Sequence, residues 1–101
     1  MSDFAASIDR LLTQVRHWEE ARWAAPAGER TKADSAYGVV QRLADLGAEA
    51  EGRAARDVPR LHDLVLPDQL RVVADDLLAA APPEAVLAQA AAAVDELRST
   101  V

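Results

Sequence analysis

An all-α fold, an antiparallel bundle of about four helices forming two helical hairpins, is what this 101-residue sequence predicts. Three observations lead there. Alanine, the residue of highest helix propensity, supplies 23 of the 51 apolar residues. The bulkier apolar side chains recur at spacings of three and four, the period of one helix face. Proline and glycine punctuate the chain where those periodic runs stop.

The first helix is predicted from about Asp3 to Ala25, capped by Ser2 or Asp3 and ended by Pro26-Ala27-Gly28. Its face reads Phe4, Ile8, Leu11, Val15, Trp18, with a second stripe joining Leu12 to Trp23 well around the cylinder. The second helix is predicted from about Thr31 to Arg56. Thr31 with Asp34 is a loose capping box, and the face Ala36, Val40, Leu43, Gly47, Ala50, Ala54 shrinks along its length. Close packing is expected at Gly47 and fraying from Gly52 onward.

Residues 57–66 read as a connector with one helical turn, folded onto the core by Leu61, Leu64 and Val65. The third helix is predicted from Pro67 to about Ala81 with the face Leu66, Leu70, Val73, Leu77. After Pro82-Pro83 the fourth carries Leu87, Ala90, Val94, Leu97. Helices 1 and 2, about 33 and 39 Å long at 1.5 Å per residue, exceed helices 3 and 4 at about 23 and 27 Å. Part of the first hairpin is therefore expected to lie uncovered, near Trp18, Trp23 or the alanine-rich end of helix 2.

The length suits a single domain, 1–101, with a thin core, since alanine buries little area. The net charge of −6 argues against nucleic acid as a partner. It is uneven, with eight basic and nine acidic residues in 1–56 but three and eight in 57–101. There is no cysteine, and no apolar run approaches the ~18 residues that span a bilayer. A cytoplasmic location without membrane partner is the expectation. The arginine-rich, alanine-rich usage is similar to that of proteins from GC-rich bacterial genomes.

No pattern of catalytic, metal-ligating or cofactor-binding residues is found, so the chain is read as non-enzymatic, with no cofactor. His17 with Glu20, or His62 with Asp63, would be metal ligands only if folding joined them; exposed or capping histidines are the simpler reading. Asp75 and Asp76 point about 100° apart on a helix and cannot grip one ion. Arg53, Arg56 and Arg60 make a short basic patch, read as an exposed helix end. Ser99-Thr100-Val101 matches the loose pattern of a strand that adds to a sheet edge.

Trp18, Arg22 and Trp23 form the candidate partner-binding cluster, with Trp23 as an exposed anchor and Arg22 stacked on Trp18. The competing reading makes Trp18 core and lets Trp23 cover the helix end near Pro26. The function expected is a protein-interaction or regulatory module, with a homodimer as one form of it. The alternative is a small-ligand or sensor bundle with an apolar pocket bounded by Trp18, Val40, Leu43 and Leu70.

Overall fold

Helix α1 spans Phe4–Val15, its start capped by Asp3, whose carboxylate accepts from the Ala6 N–H at 3.1 Å. The computed structural model describes residues 3–101, so the alternative cap Ser2 lies outside the described residues. Helix α1 stops ten residues short of its predicted end. After a turn at Arg16 and His17, Glu19 is extended and a short helix α2 runs Glu20–Ala24. In one continuous helix Trp23 would sit about 140° around from Trp18, off the apolar face. The break turns the chain so that Trp23 enters the core, where it is 1% exposed.

The next segment is not helical. Strands β1 (Pro26–Ala27) and β2 (Arg30–Thr31) pair antiparallel about a two-residue turn, and Lys32 N–H donates to Ala25 O at 2.9 Å. Gly28 opens that turn with φ +67°, a conformation glycine adopts without steric cost. Thr31 then caps α3 (Lys32–Ala50) through a reciprocal capping box: Asp34 N–H donates to Thr31 Oγ1 at 3.0 Å, and Thr31 N–H donates to Asp34 Oδ2 at 3.5 Å.

Helix α3 ends in a Schellman motif. Gly52, at φ +69°, donates to Glu49 O at 3.1 Å and Arg53 donates to Ala48 O at 3.0 Å. Helix therefore stops before the predicted Arg56. Gly47 is not a point of close approach, because a Cβ built there meets nothing within 4 Å. A 3₁₀ turn at Asp63–Val65 leads into α4 (Leu66–Ala79), and α5 (Glu84–Thr100) follows Pro82-Pro83. Ser99 and Thr100 belong to α5, so the carboxyl-terminal residues are not a free strand.

Of the described residues 71% are helical, in five α-helices and a 3₁₀ turn beside one two-stranded sheet. Helix α3 packs against α4 and α5, and α1 against the same two. The consecutive pairs α1/α3 and α4/α5 barely touch, so the two expected hairpins are not formed. Two features of the links account for this. The link from α1 to α3 holds α2 and the β-hairpin, and the stiff Pro82-Pro83 pair holds α4 and α5 apart. Lys32 reaches Val101 and Arg42 reaches Gln89, a pairing that makes α3 and α5 antiparallel.

One core joins all four long helices. Leu11, Leu43, Leu77 and Leu97, one from each, are buried in it together. Among the described residues no helix is long and apolar enough to cross a membrane.

The end of α4 yields a prediction. Ala81 lies at φ +47°, where a Cβ is strained, and donates to Leu78 O at 3.1 Å. Pro82 lacks the N–H that would complete the usual pair of terminal bonds. Ala81→Gly is expected to stabilise the protein by about 0.5–1 kcal/mol, read as a higher urea midpoint at unchanged slope.

Candidate functional site

The three residues singled out by sequence do come together, with the burial of the tryptophans reversed. Trp23 is enclosed and is not an exposed anchor; Trp18 is the half-buried ring. The two rings meet edge to face, centroids 4.9 Å apart. The Arg22 guanidinium lies 4.8 Å from the Trp18 centroid, and Lys32 Nζ lies 5.2 Å from it. Lys32 also donates to the Val101 main-chain oxygen at 3.3 Å. Thus α2, the start of α3 and the end of α5 are joined over one indole. His17, Glu19, Ala21 and Ala25 line the open cleft beside Trp18 and Arg22.

The pocket expected near Trp18 was bounded by Val40, Leu43 and Leu70. Val40, Leu43 and Leu70 are buried in the core, and the cleft at Trp18 is lined by none of them.

The histidines do not meet. His17 borders the Trp18 cleft, while His62 Nε2 lies 2.9 Å from Glu20 Oε1 and its Nδ1 accepts from the Leu64 N–H at 3.2 Å. A neutral imidazole protonated on Nε2 does both, so His62 caps the 3₁₀ turn and ties it to α2. Among the described residues no group of three or more His, Asp or Glu is placed to hold a metal ion. Asp75 pairs with Arg71 on its own helix at 3.5 Å, and Arg71 reaches Asp9 of α1 at 2.8 Å. That hydrogen bond to Asp9 is the main influence raising the Arg71 pKa above its ordinary value.

The basic patch is divided: Arg53 and Arg56 line one cleft, while Arg60 turns to the start of α3. Arg53 pairs with Glu51 at 3.5 Å, whereas Arg60 pairs with Asp34 at 3.0 Å and lies 4.8 Å over the Tyr37 ring. Arg60 belongs to a feature that the sequence does not announce, an irregular strap of residues 53–62 laid along α3 and α4. Polar side chains fasten its backbone. Tyr37 donates its hydroxyl to Val58 O; Gln41 donates to Arg56 O at 2.9 Å and accepts from Val58 N–H at 2.7 Å; Gln69 donates to Pro59 O at 3.1 Å. Asp34 thus serves both the cap of α3 and the strap. The Arg60 hydrogen bond, then those from Thr31, hold its carboxyl below the ordinary 3.8.

Beside the strap lies an apolar surface. Leu61 and Leu64, expected in the core, are 52% and 47% exposed, and Val72 is 57% exposed. Val58, Val65, Val72 and Val73 line an open cleft of about 270 Å³ whose polar members are Asp68 and Gln69. Val65, Asp68 and Val72 recur at helical spacing, a second face of α4 outside the Leu66–Leu77 core face. That spacing was legible; the exposure was not.

Trp23→Ala should cost about 3–5 kcal/mol of stability, a core effect visible in thermal unfolding without any partner. A depressed carboxyl stabilises the fold above its unfolded pKa, and that contribution disappears as pH falls through the folded pKa. Wild-type protein should therefore lose stability relative to Asp34→Asn as pH drops from about 5 to 2, read from melting curves at matched ionic strength. No family model matches the chain, and neither a curated protein nor a solved structure matches it.

Proposed function

We propose that this chain is a small non-enzymatic protein-interaction module that docks a partner on the apolar face of α4 and the strap. The observation that carries this reading is an exposed cleft walled by Val58, Val65, Val72 and Val73, with Leu61 and Leu64 also exposed in the segment that leads into α4. Surface apolar residues scattered singly need no explanation, whereas a contiguous group rimmed by polar side chains fits a recognition surface. Asp68 lines it with negative charge, while Asp63 nearby in sequence is paired with Arg60 at 3.6 Å, which favours an apolar partner segment carrying a Lys or Arg.

Self-association is one form of this reading. The acidic rim would face itself across a two-fold axis, which favours a different protein over a second copy. The Trp18–Arg22 pair supports the reading less well as a docking site, because its ring already engages Arg22, Lys32 and Trp23.

The test places a photoreactive amino acid at Val72 and, as control, at exposed Thr13 of α1. Cross-linking in the source cell is expected at position 72 alone, to one defined protein. A second change, Leu64→Glu, should reduce that cross-link about tenfold or more, the loss of ~1.4 kcal/mol or more of binding, with the melting temperature kept. Equal labelling at both positions, or labelling indifferent to Leu64→Glu, would overturn the reading.

A further inference from the structure

A second concave surface runs between α3 and α5, on a different edge of the bundle from the strap. It is a groove of about 410 Å³, inside the range that small ligands occupy. Its walls follow helical periodicity on both sides: Ser35, Gly38, Val39 and Arg42 from α3 face Ala93, Glu96, Leu97 and Thr100 from α5. The small residues Ser35, Gly38 and Ala93 keep the groove open, and Val39 and Leu97 make it partly apolar.

Two arginines, Arg30 and Arg42, line this groove. Arg30 folds back over α3, donating to Asp34 O at 3.0 Å, and its Nη1 lies 3.8 Å from where a Gly38 Cβ would stand. Arg42 stands one helical turn beyond Gly38, about 6 Å along the axis, and reaches Gln89 at 3.4 Å. Arg53, Arg60 and Arg71 each pair with a carboxylate. Arg30 and Arg42 form no ion pair among the described residues, which they share with other arginines of the chain, but they are the two that line one groove. Each keeps most of its five N–H donors for another acceptor. Glu96 lines the opposite wall and pairs with neither of them.

We infer that the α3–α5 groove binds a small dicarboxylate that also carries a hydrogen-bond donor such as an ammonium group. One carboxylate meets Arg30 and the other meets Arg42, each with the fork geometry that guanidinium offers to a carboxylate. The donor faces Glu96, and the short carbon body lies over Gly38 against Val39 and Leu97. A bare phosphate spans one of the two guanidinium groups and leaves Glu96 opposed by negative charge. Recognition therefore requires two separated anionic ends and a cationic middle or flank.

The test is an NMR titration of the intact chain with glutamate, with glutarate, which lacks only the amino group, and with inorganic phosphate. Glutamate is expected to give saturable shifts at Arg30, Gly38 and Arg42, weakening as salt is raised, with glutarate and phosphate each several-fold weaker. Arg42→Gln should lower glutamate affinity about tenfold, as loss of a charge-assisted pair implies. Gly38→Leu should abolish binding by filling the groove while keeping α3, since a Cβ there meets only the flexible end of Arg30, at ordinary contact distance. Retained melting temperature in both variants separates lost binding from lost fold. Non-saturating shifts with glutamate, phosphate binding as tightly as glutamate, glutarate binding as tightly as glutamate, or unchanged affinity in Gly38→Leu would each overturn the assignment.

Discussion

Large apolar side chains are scarce in this chain, and most of its architecture follows from where the few must go. Five core positions are alanine: Ala33, Ala36, Ala74, Ala90 and Ala91. Alanine loses no side-chain rotamer freedom on folding but brings little area out of water. The burden falls on Phe4, Ile8, the leucines and Trp23. A buried tryptophan removes some 150–250 Å² from water, which at 25 cal/mol per Å² amounts to about 4–6 kcal/mol as an upper estimate. Continuing α1 through Arg16–Glu19 would gain a few tenths of a kcal/mol of propensity per residue. Burial wins, and the helix breaks. The same break leaves Trp18 half-covered against Trp23, so both rings contribute.

The strap answers a different difficulty. Residues 53–62 have no regular structure, and almost all are exposed, so their backbone groups need side-chain or solvent partners. Tyr37, Gln41 and Gln69 supply partners from the helices beneath, while Arg60 and His62 anchor to Asp34 and Glu20. Such bonds contribute modestly one by one. Their value is positional: they keep Val58 against the core and present Leu61 and Leu64 outward.

What could be read from sequence divides along the line between local and distant causes. The Thr31–Asp34 capping box and the restart of helix after Pro82-Pro83 are settled within a few residues, and each appears close to where it was expected; the end of α3 falls short of the predicted Arg56, at the glycine from which fraying was expected. The inward faces of the long helices were legible for the same reason, since periodicity is a local property. Three features were not. The diagonal placement of α1 and α3 depends on what fills their link. The break before α2 depends on the core having room for Trp23. The outward turn of Leu61 and Leu64 depends on tethers from Tyr37, Gln41 and Gln69, whose partners lie between ten and 21 residues away. At the candidate site, the stacking of Arg22 on Trp18 follows from their one-turn spacing, whereas the meeting of the two tryptophan rings depends on the break before α2, and exposure had been assigned to Trp23. An apolar period shows that a residue has a favoured side and leaves open which neighbour covers it.

Burying further apolar surface matters more to a thin core than to a thick one. Docking on the face proposed for α4 would cover Val72, Leu61 and Leu64 and extend the interior that Val58 and Val73 already line. A ligand that binds only the folded chain adds its binding free energy to stability, growing with the logarithm of its concentration. In a domain whose core holds five alanines, that increment is a large share of a total that is small for any domain of this size. On the proposed reading, occupancy of the α4 face and persistence of the fold are therefore linked quantities. The strap lies at the junction: its polar tethers hold the apolar residues outward, and a partner would supply the contacts that the interior does not.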